Sequence, residues 1–182
     1  MIKKIYFSKS NHPKIDANIS CIGNFDAVHK GHQALIKKTI SLAKEKGLKA
    51  YIIVFSKDPN FVLFKEKPIN SLNERIKLFN KFGLDGVIII DCDINFLNTS
   101  YKDFINNYLK KMNINGLVVG KDYTFGRNRC GNVKELKKSF KNVYVCDSVN
   151  YYGKKISTTR IKNDLKHNKI NSAKRMLGYE NR

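Results

Sequence analysis

The sequence predicts an α/β fold, a single domain in which helices wind on both sides of a parallel β-sheet. Two observations lead to this prediction. Short apolar runs rich in β-branched residues alternate with longer stretches of helical period along the whole chain. The 182 residues, 42% of them hydrophobic, are enough for one domain with a sizeable core and too apolar for a disordered chain. We expect the domain to occupy residues 1–182.

Five apolar runs are predicted as strands of this sheet. They cover residues 19–25, 50–55, 86–90, 117–120 and 143–146. Continuous apolar strands of this length are typical of parallel sheets that helices cover on both faces. In such sheets ligands bind beyond the carboxyl ends of the strands, so the loops that follow the strands are where functional residues are expected.

Capping patterns predict where three of the helices begin. Each places a carboxylate three positions after a short polar residue: Ser71 with Glu74, Ser100 with Asp103, and Asn132 with Glu135. After the first of these, an apolar stripe at helical spacing is expected to cover the core. Its members are Leu72, Ile76, Phe79 and Phe82.

The composition is strongly basic, with 35 Lys and Arg against 15 Asp and Glu and a net charge of +20. This charge favours an anionic partner, either nucleic acid or nucleotide phosphates, although it is also compatible with lysines that carry no function. The lysines are spread along the chain without a dense basic tail, which makes a nucleic-acid partner unlikely.

Cysteine usage and hydropathy indicate an intracellular protein. The four cysteines stand singly without a CxxC pair, which favours reduced thiols over a zinc cage or a disulfide framework. No run approaches the roughly 20 apolar residues that cross a bilayer, and the N-terminus lacks the apolar core of a signal peptide. We therefore expect a cytoplasmic protein with no membrane partner.

The first candidate site is the segment GNFDAVHKGH at residues 23–32, between a predicted strand and helix. A helix N-terminus offers free N–H groups and a positive dipole end that favour phosphate. His29 and His32 are expected on one side of the first turn, with Gly31 leaving room for close approach. Asp26 is expected to cap backbone N–H groups of the turn. Two histidines three apart could also bind a metal, but the spacing fixes no further ligand, and we predict no metal site here.

A second candidate phosphate site is ISTTR at residues 156–160, which precedes a short amphipathic helix. Ser157, Thr158 and Thr159 could bind phosphate oxygens, and the guanidinium of Arg160 suits a bidentate phosphate contact. The alternative is an ordinary helix cap with the arginine on a solvated face. Between the two segments, residues 118–131 read VVGKDYTFGRNRCG, where Tyr123 or Phe125 could stack on a flat ring or hold the loop on the core.

The HKGH tetrapeptide resembles the HxGH motif of the nucleotidylyltransferase superfamily, whose fold is a Rossmann-like doubly wound sheet. Over nearly the whole chain, five ordered segments resemble the FMN adenylyltransferase (FAD synthetase) module of bacterial bifunctional riboflavin kinase/FAD synthetases. They are GNFDAVHKGHQALI, VFSKDPNFVL, INSLNERIKLFNKFGLDGV, VVGKDYTFGRNRCG and ISTTRIKNDLKHNKINSAKRMLGY. The resemblance implies an enzyme that transfers AMP from ATP to FMN and releases pyrophosphate, with FAD as product and Mg²⁺ accompanying ATP.

The resemblance also implies roles for individual residues. Implied catalytic residues are His29, His32 and Arg160. Implied ATP-binding residues are Gly23, Asn24, Phe25, Asp26, Gly31, Ser157, Thr158 and Thr159. Implied flavin-binding residues are Asp58, Pro59, Asp122, Tyr123 and Phe125. The chain reads Lys57-Asp58-Pro59 where the family usually has Pro-His-Pro, so the flavin contact there departs from the pattern.

The riboflavin kinase module that usually follows has no counterpart before Arg182, so we expect a separate riboflavin kinase to supply FMN. Two other functions stay open at this point. One is adenylyl or cytidylyl transfer to another phosphorylated acceptor, and the other is a basic nucleic-acid-binding protein without catalysis.

Overall fold

The computed structural model of the chain describes residues 2–179. Its strands are β1 (Lys3–Phe7), β2 (Asn18–Ile22), β3 (Lys49–Phe55), β4 (Gly86–Ile90), β5 (Ile114–Gly120), β6 (Thr124–Phe125), β7 (Gly131–Asn132), β8 (Val143–Cys146), β9 (Asn150–Tyr151) and β10 (Lys154–Lys155). Six of them form the central sheet in the order β1-β4-β3-β2-β5-β8, with every neighbouring pair parallel. The predicted Rossmann-like α/β fold is therefore confirmed.

Helices cover both faces of the sheet. They are α1 (Lys30–Glu45), α2 (Pro59–Phe64), α3 (Leu72–Phe82), α4 (Ile94–Leu97), α5 (Tyr101–Asn107), α6 (Val133–Ser139), α7 (Thr158–Lys166) and α8 (Ile170–Leu177). One buried cluster packs α1 and α3 against the sheet through residues such as Ile36 and Phe79. A second packs α5 and α6 against the opposite face through Phe104 and Leu136.

The first two strands differ from the prediction. β1 was not expected, because Lys3, Lys4 and Tyr6 point to solvent and leave only alternate positions buried. β2 ends at Ile22 rather than at residue 25, since Phe25 already has a left-handed backbone with φ 51°. The strand signal in residues 23–25 is thus the signal of a buried loop.

The predicted helix starts are largely confirmed. Ser71 and Glu74 form the full capping box, with each side chain accepting from the other residue's backbone N–H. Ser100 accepts from the N–H of Asp103 at 3.1 Å. Asn132 caps α6 as well, but through the N–H of Lys134, so the capping box expected with Glu135 does not form.

The winding of the chain reverses between β2 and β5. From β2 the chain runs outward through β3 to β4 on one side, and β5 and β8 lie on the other. A third apolar cluster joins α7 and α8 to the loop after β2, with Ala27, Ile161 and Leu177 among its members. The switch point, where ligands bind in this class of sheet, thus lies between the loop after β2 and the first turn of α7. Within residues 2–179, every helix is too short or too polar to span a bilayer.

Candidate active site

The loop after β2 has a strained backbone. Phe25 and Val28 have φ values of 51° and 43°, and both side chains are completely buried. For an aromatic or β-branched residue this conformation costs about 1–3 kcal/mol, so it persists only where surrounding contacts fix it. The turn is closed by the N–H of Val28, which donates to the carbonyl of Phe25 at 3.3 Å.

Asp26 is one of the contacts that fix this loop. Its buried carboxylate accepts from the N–H groups of Ile69 at 2.6 Å and Asn70 at 3.1 Å. Its second oxygen lies 3.6 Å from Nζ of Lys162 on α7. The expectation of capping within the turn is therefore corrected, because the carboxylate binds distant backbone and joins three segments. Burial raises the pKa of Asp26, opposed by the N–H of Asn70 and the ammonium of Lys162.

His29 and His32 lie together at the start of α1. His29 is the N-cap, and its Nδ1 accepts from the N–H of His32 at 3.3 Å. The two rings are stacked, with centroids 3.7 Å apart and planes 13° from parallel. A Cβ on Gly31 would lie 3.0 Å from the His29 ring, so this glycine makes room for the ring itself. The expectation that both imidazoles lie on one side of the first turn is met.

Both imidazoles are held neutral. Burial, together with the ammonium of Lys155, lowers the pKa of His29 to about 4. Burial also lowers the pKa of His32 well below its usual value, helped by His29, Arg75 and Lys155. Because Nδ1 of His29 accepts a hydrogen bond, the proton of that neutral ring sits on Nε2. The His29 ring is thus a hydrogen-bond donor at its Nε2 side.

Asn24 connects the loop to the segment after β3. Its Nδ2 donates to the carboxylate of Asp58 in a short hydrogen bond. Asp58 is 5% exposed and caps α2 by accepting from the N–H of Asn60 at 2.7 Å, with Pro59 in the first turn of the helix. The structure therefore joins the predicted flavin residue Asp58 to the predicted ATP residue Asn24.

On the other side of the switch point, Ser157 caps α7 by accepting from the N–H of Arg160 at 3.2 Å. Thr158 and Thr159 occupy the first turn. Nη1 of Arg160 donates to the carbonyls of Tyr151 and Lys154, both at 2.9 Å, and its guanidinium lies 5.5 Å from the Tyr151 ring. Arg160 thus holds the β9–β10 hairpin, which sequence patterns did not indicate, and its predicted contact with phosphate stays a prediction.

Lys155 is a site residue that sequence patterns missed. It lies at the end of the hairpin, and its charge acts on both histidines. Its Nζ lies 2.6 Å from Oδ2 of Asp122, and this ion pair lowers the pKa of Asp122. In a chain so rich in lysine, no sequence signal separates Lys155 from its neighbours; its proximity to the ISTTR segment is the only hint.

The loop after β5 combines core and surface residues. Phe125 is 7% exposed and packs against Phe104, so it holds the loop on the core as the alternative interpretation expected. Tyr123 is half-buried and stacks on Phe125 with ring centroids 5.6 Å apart. The predicted flavin contacts of both rings remain predictions, and Asp122 is the exposed member of this group.

Residues 12–160 match the family model of FAD synthetase. The chain belongs to the FAD synthetase family. The predicted resemblance is thereby confirmed, and the loop after β2, the stacked histidines, the loop after β5 and the start of α7 all lie within the matched part.

Two curated relatives of this FAD synthetase family member are longer than it is. The chain is 34% identical over 179 residues to a bifunctional riboflavin kinase/FMN adenylyltransferase of Buchnera aphidicola, covering 92% of this chain and 57% of the relative. It is 29% identical to a protein of the same name from Listeria monocytogenes, covering 88% and 54%. The chain thus spans little more than half the length of these relatives.

A solved structure has the same fold. A crystal structure described as a macrolide-efflux protein from Streptococcus pneumoniae superimposes with a TM-score of 0.87 at 26% identity, covering 99% of this chain and 61% of that one. The superposition covers nearly the whole chain, so it includes both the family-matched region and the α7–α8 pair.

One further feature borders the candidate site. α2 follows β3 and leaves Phe61 and Phe64 exposed by 39% and 72%. A cavity of about 210 Å³ lies between this helix and the start of α4, with Phe61, Cys92 and Ile94 in its lining. Within residues 2–179, no group of three or more His, Cys, Asp and Glu side chains is arranged to hold a metal ion.

Proposed function

We propose that this chain transfers the AMP part of ATP to FMN, giving FAD and pyrophosphate, by in-line attack of the FMN phosphate on the α-phosphorus of ATP. The observation that carries the proposal is the stacked pair of neutral histidines at the start of α1, inside the part of the chain that matches the FAD synthetase family. The proposal treats residues 1–182 as one FMN adenylyltransferase domain.

The start of α1 supplies donors for the ATP phosphates. A 16-residue helix presents free backbone N–H groups and the positive end of its dipole at this point. The Nε2–H of His29 adds a further hydrogen-bond donor, and its ring carries no net charge. We assign His29 and His32 to the phosphates at the reacting centre, where negative charge accumulates as the acceptor oxygen approaches.

The acceptor needs no protein base. A phosphate monoester has a second pKa of about 6, so the FMN phosphate is already largely dianionic near neutral pH. Catalysis then consists of aligning the attacking oxygen with the α-phosphorus and stabilising the charge that develops. This explains why two histidines that stay neutral are suited to the reaction.

The outer phosphates are assigned to the opposite side of the switch point. Ser157, Thr158 and Thr159 lie at the start of α7, whose first turn is joined to the loop after β2 by buried apolar contacts. Lys155 adds a half-exposed positive charge that acts on the histidines, and Arg160 fixes the hairpin that carries it. We propose that Lys155 exchanges its ion pair with Asp122 for a β- or γ-phosphate oxygen when ATP binds.

The flavin is assigned to the segments that follow β3 and β5. Asp58 and Pro59 open α2, whose exposed aromatic side chains and neighbouring cavity offer an apolar surface for a flat ring. Asp122 and Tyr123 lie beside Lys155 across the site. Gly23, Asn24, Phe25 and Gly31 shape the loop between the two substrates.

The proposed reaction uses ATP as its magnesium complex. Mg²⁺ enters as part of the MgATP substrate, since ATP oxygens and water are the ligands that it prefers. The reaction takes place in the cytoplasm.

The assay that tests the proposal incubates the chain with MgATP and either FMN or riboflavin and separates the flavins by chromatography. We expect FAD from FMN and no product from riboflavin. His32→Ala should reduce FAD formation by about a hundredfold or more, because a donor to the reacting phosphate is lost. His167→Ala, which removes an exposed histidine at the end of α7, is the matched control and should keep normal activity. Normal turnover by His32→Ala would refute the assignment.

A further inference from the structure

Arg75 is buried beneath the loop after β2. It lies on α3 and is 2% exposed. Its Nη1 donates to the backbone carbonyl of Asn24 at 2.7 Å, and its Nη2 lies 3.4 Å from the carbonyl of Phe55. One guanidinium therefore connects the loop after β2 to the last residue of β3.

This placement is unusual for a charged side chain. Burial lowers the pKa of Arg75, while the carboxylates of Asp26 and Asp58 favour its charged form. An apolar residue at this position of α3 would cover the core without that desolvation. A buried cation at the end of two central strands therefore calls for a role beyond packing.

The polar atoms around Arg75 share one property. Within residues 2–179, the buried side-chain polar atoms without a hydrogen-bond partner are Nε of Arg75, Oδ1 of Asn24 and Nδ1 of His32. Asn24 lies in the loop after β2, His32 lies at the start of α1, and Arg75 contacts that loop from α3. Polar atoms of this kind concentrate at functional sites, because a core selected for stability alone pairs them.

Arg75 also contacts the residue that directly precedes the strained turn. Asn24, whose carbonyl it holds, precedes Phe25, and the Phe25 ring lies 5.0 Å from the ring of His32. The contact thus fixes the residue from which the left-handed turn begins. The groups that act on His32 are His29 from its own helix, Arg75 from α3 and Lys155 from the hairpin.

We propose that Arg75 is a positioning residue for the adenylyl transfer, which holds the strained loop through the Asn24 carbonyl and thereby keeps His32 in place. The inference rests on the proposed function for its link to catalysis. Arg75 acts through Asn24 and His32 and touches neither substrate.

The test compares three variants on the intact chain. Arg75→Met removes the charge and both contacts, Arg75→Lys keeps the charge and loses the fork, and Lys77→Met removes an exposed charge from the same helix as the matched control. We expect Arg75→Met to lower kcat for FAD formation by about tenfold to a hundredfold, as a displaced catalytic group does. The KM for FMN should change much less.

The pH dependence separates positioning from packing. In Arg75→Met a positive charge near His32 is lost, so the pKa of His32 rises and the acidic limb of kcat/KM moves to higher pH. In Arg75→Lys the acidic limb of kcat/KM should lie at the same pH as in the unaltered chain, while kcat is partly reduced. Lys77→Met should match the unaltered chain in both respects.

A ligand-free readout keeps this inference distinct from the proposed function. In ¹⁵N-labelled protein, the ring signals of His32 should shift in Arg75→Met, while those of His167 stay in place in every variant. Equal loss of kcat in both Arg75 variants with unmoved pH limbs and His32 signals would overturn the inference. If the unaltered chain makes no FAD but the His32 signals shift as expected, the proposed function falls and the Arg75–His32 coupling stands.

Discussion

Individual residues of the site act through their uncharged state. His29 and His32 lie face to face with ring centroids 3.7 Å apart, a geometry that two imidazolium ions would oppose. Burial holds both neutral, so in the proposed reaction they would donate hydrogen bonds to phosphate while the positive charge comes from Lys155 nearby. Because the two imidazoles are neutral and the positive charge belongs to Lys155, the hydrogen-bonding state of the rings does not change with pH in the neutral range.

The buried neutral state of His29 predicts a pH-dependent stability. Its pKa is about 4 in the folded chain and about 6.5 when unfolded, so between these values the unfolded chain binds more protons. The free energy of unfolding should therefore fall as pH falls from 6.5 towards 4, by at most about 3 kcal/mol from this residue, and be flat above 6.5. Urea unfolding between pH 4.5 and 7.5 measures it.

The matched variants for this measurement are His29→Gln and His167→Gln. His29→Gln should flatten part of the slope, and His167→Gln should leave it unchanged because that side chain is exposed. An identical slope in His29→Gln and the unaltered chain would contradict the buried neutral assignment.

Arg160 carries a second prediction at this scale. Because one nitrogen of its guanidinium binds two carbonyls of the β9–β10 hairpin, Arg160→Lys should loosen the hairpin that places Lys155. We expect FAD formation to fall about tenfold or more, with the KM for ATP raised more than the KM for FMN. Steady-state kinetics with each substrate varied in turn test this, and an unchanged rate would place Arg160 outside the site.

Single residues also mark where sequence patterns stop being informative. The histidine pair could be predicted because spacing along one helix fixes which side chains meet. Arg75 could not, since a charged residue next to an apolar stripe normally faces solvent, and only the packed loop shows that it is buried. Lys155 could not for a different reason, because its position depends on a hairpin held by Arg160.

The secondary-structure elements were predictable where one local signal suffices. Five of the six strands of the central sheet and the capped helices follow from the sequence; these strands are β2, β3, β4, β5 and β8. The edge strand β1 does not, because its outward Lys and Tyr side chains leave few buried positions. The short helix α2 buries none of its residues, so no amphipathic pattern reveals it.

The capping box of α3 gives a prediction at the level of the element. Ser71→Ala removes the side-chain acceptor for the N–H of Glu74 and should lower the free energy of unfolding by about 0.5–2 kcal/mol. FAD formation well below the unfolding transition should persist, because the variant keeps the Ser71 carbonyl that accepts from the N–H of Arg75 at 3.0 Å. Urea unfolding with the exposed Ser10→Ala as control measures the difference, and equal stability of both variants would contradict the cap's contribution.

At the scale of the whole molecule, the fold brings three distant segments to one end of the sheet. The loop after β2, the loop after β5 and the hairpin with the start of α7 meet at the switch point between β2 and β5. Parallel strands make this possible, since their carboxyl ends share one edge. The sequence alone indicates these segments as candidates, but their contacts, such as Asp26 with Lys162 and Asp122 with Lys155, depend on the packed chain.

In the proposed reaction, the site directs attack on the innermost phosphorus of ATP. The most direct measurement incubates the chain with FMN and Mg²⁺ and with ATP labelled by ³²P at either the α- or the γ-position, then separates flavins from phosphates. We expect the α-label to appear in FAD and the γ-label in pyrophosphate. Label from the γ-position in a flavin, or no labelled flavin from either ATP, would contradict the account.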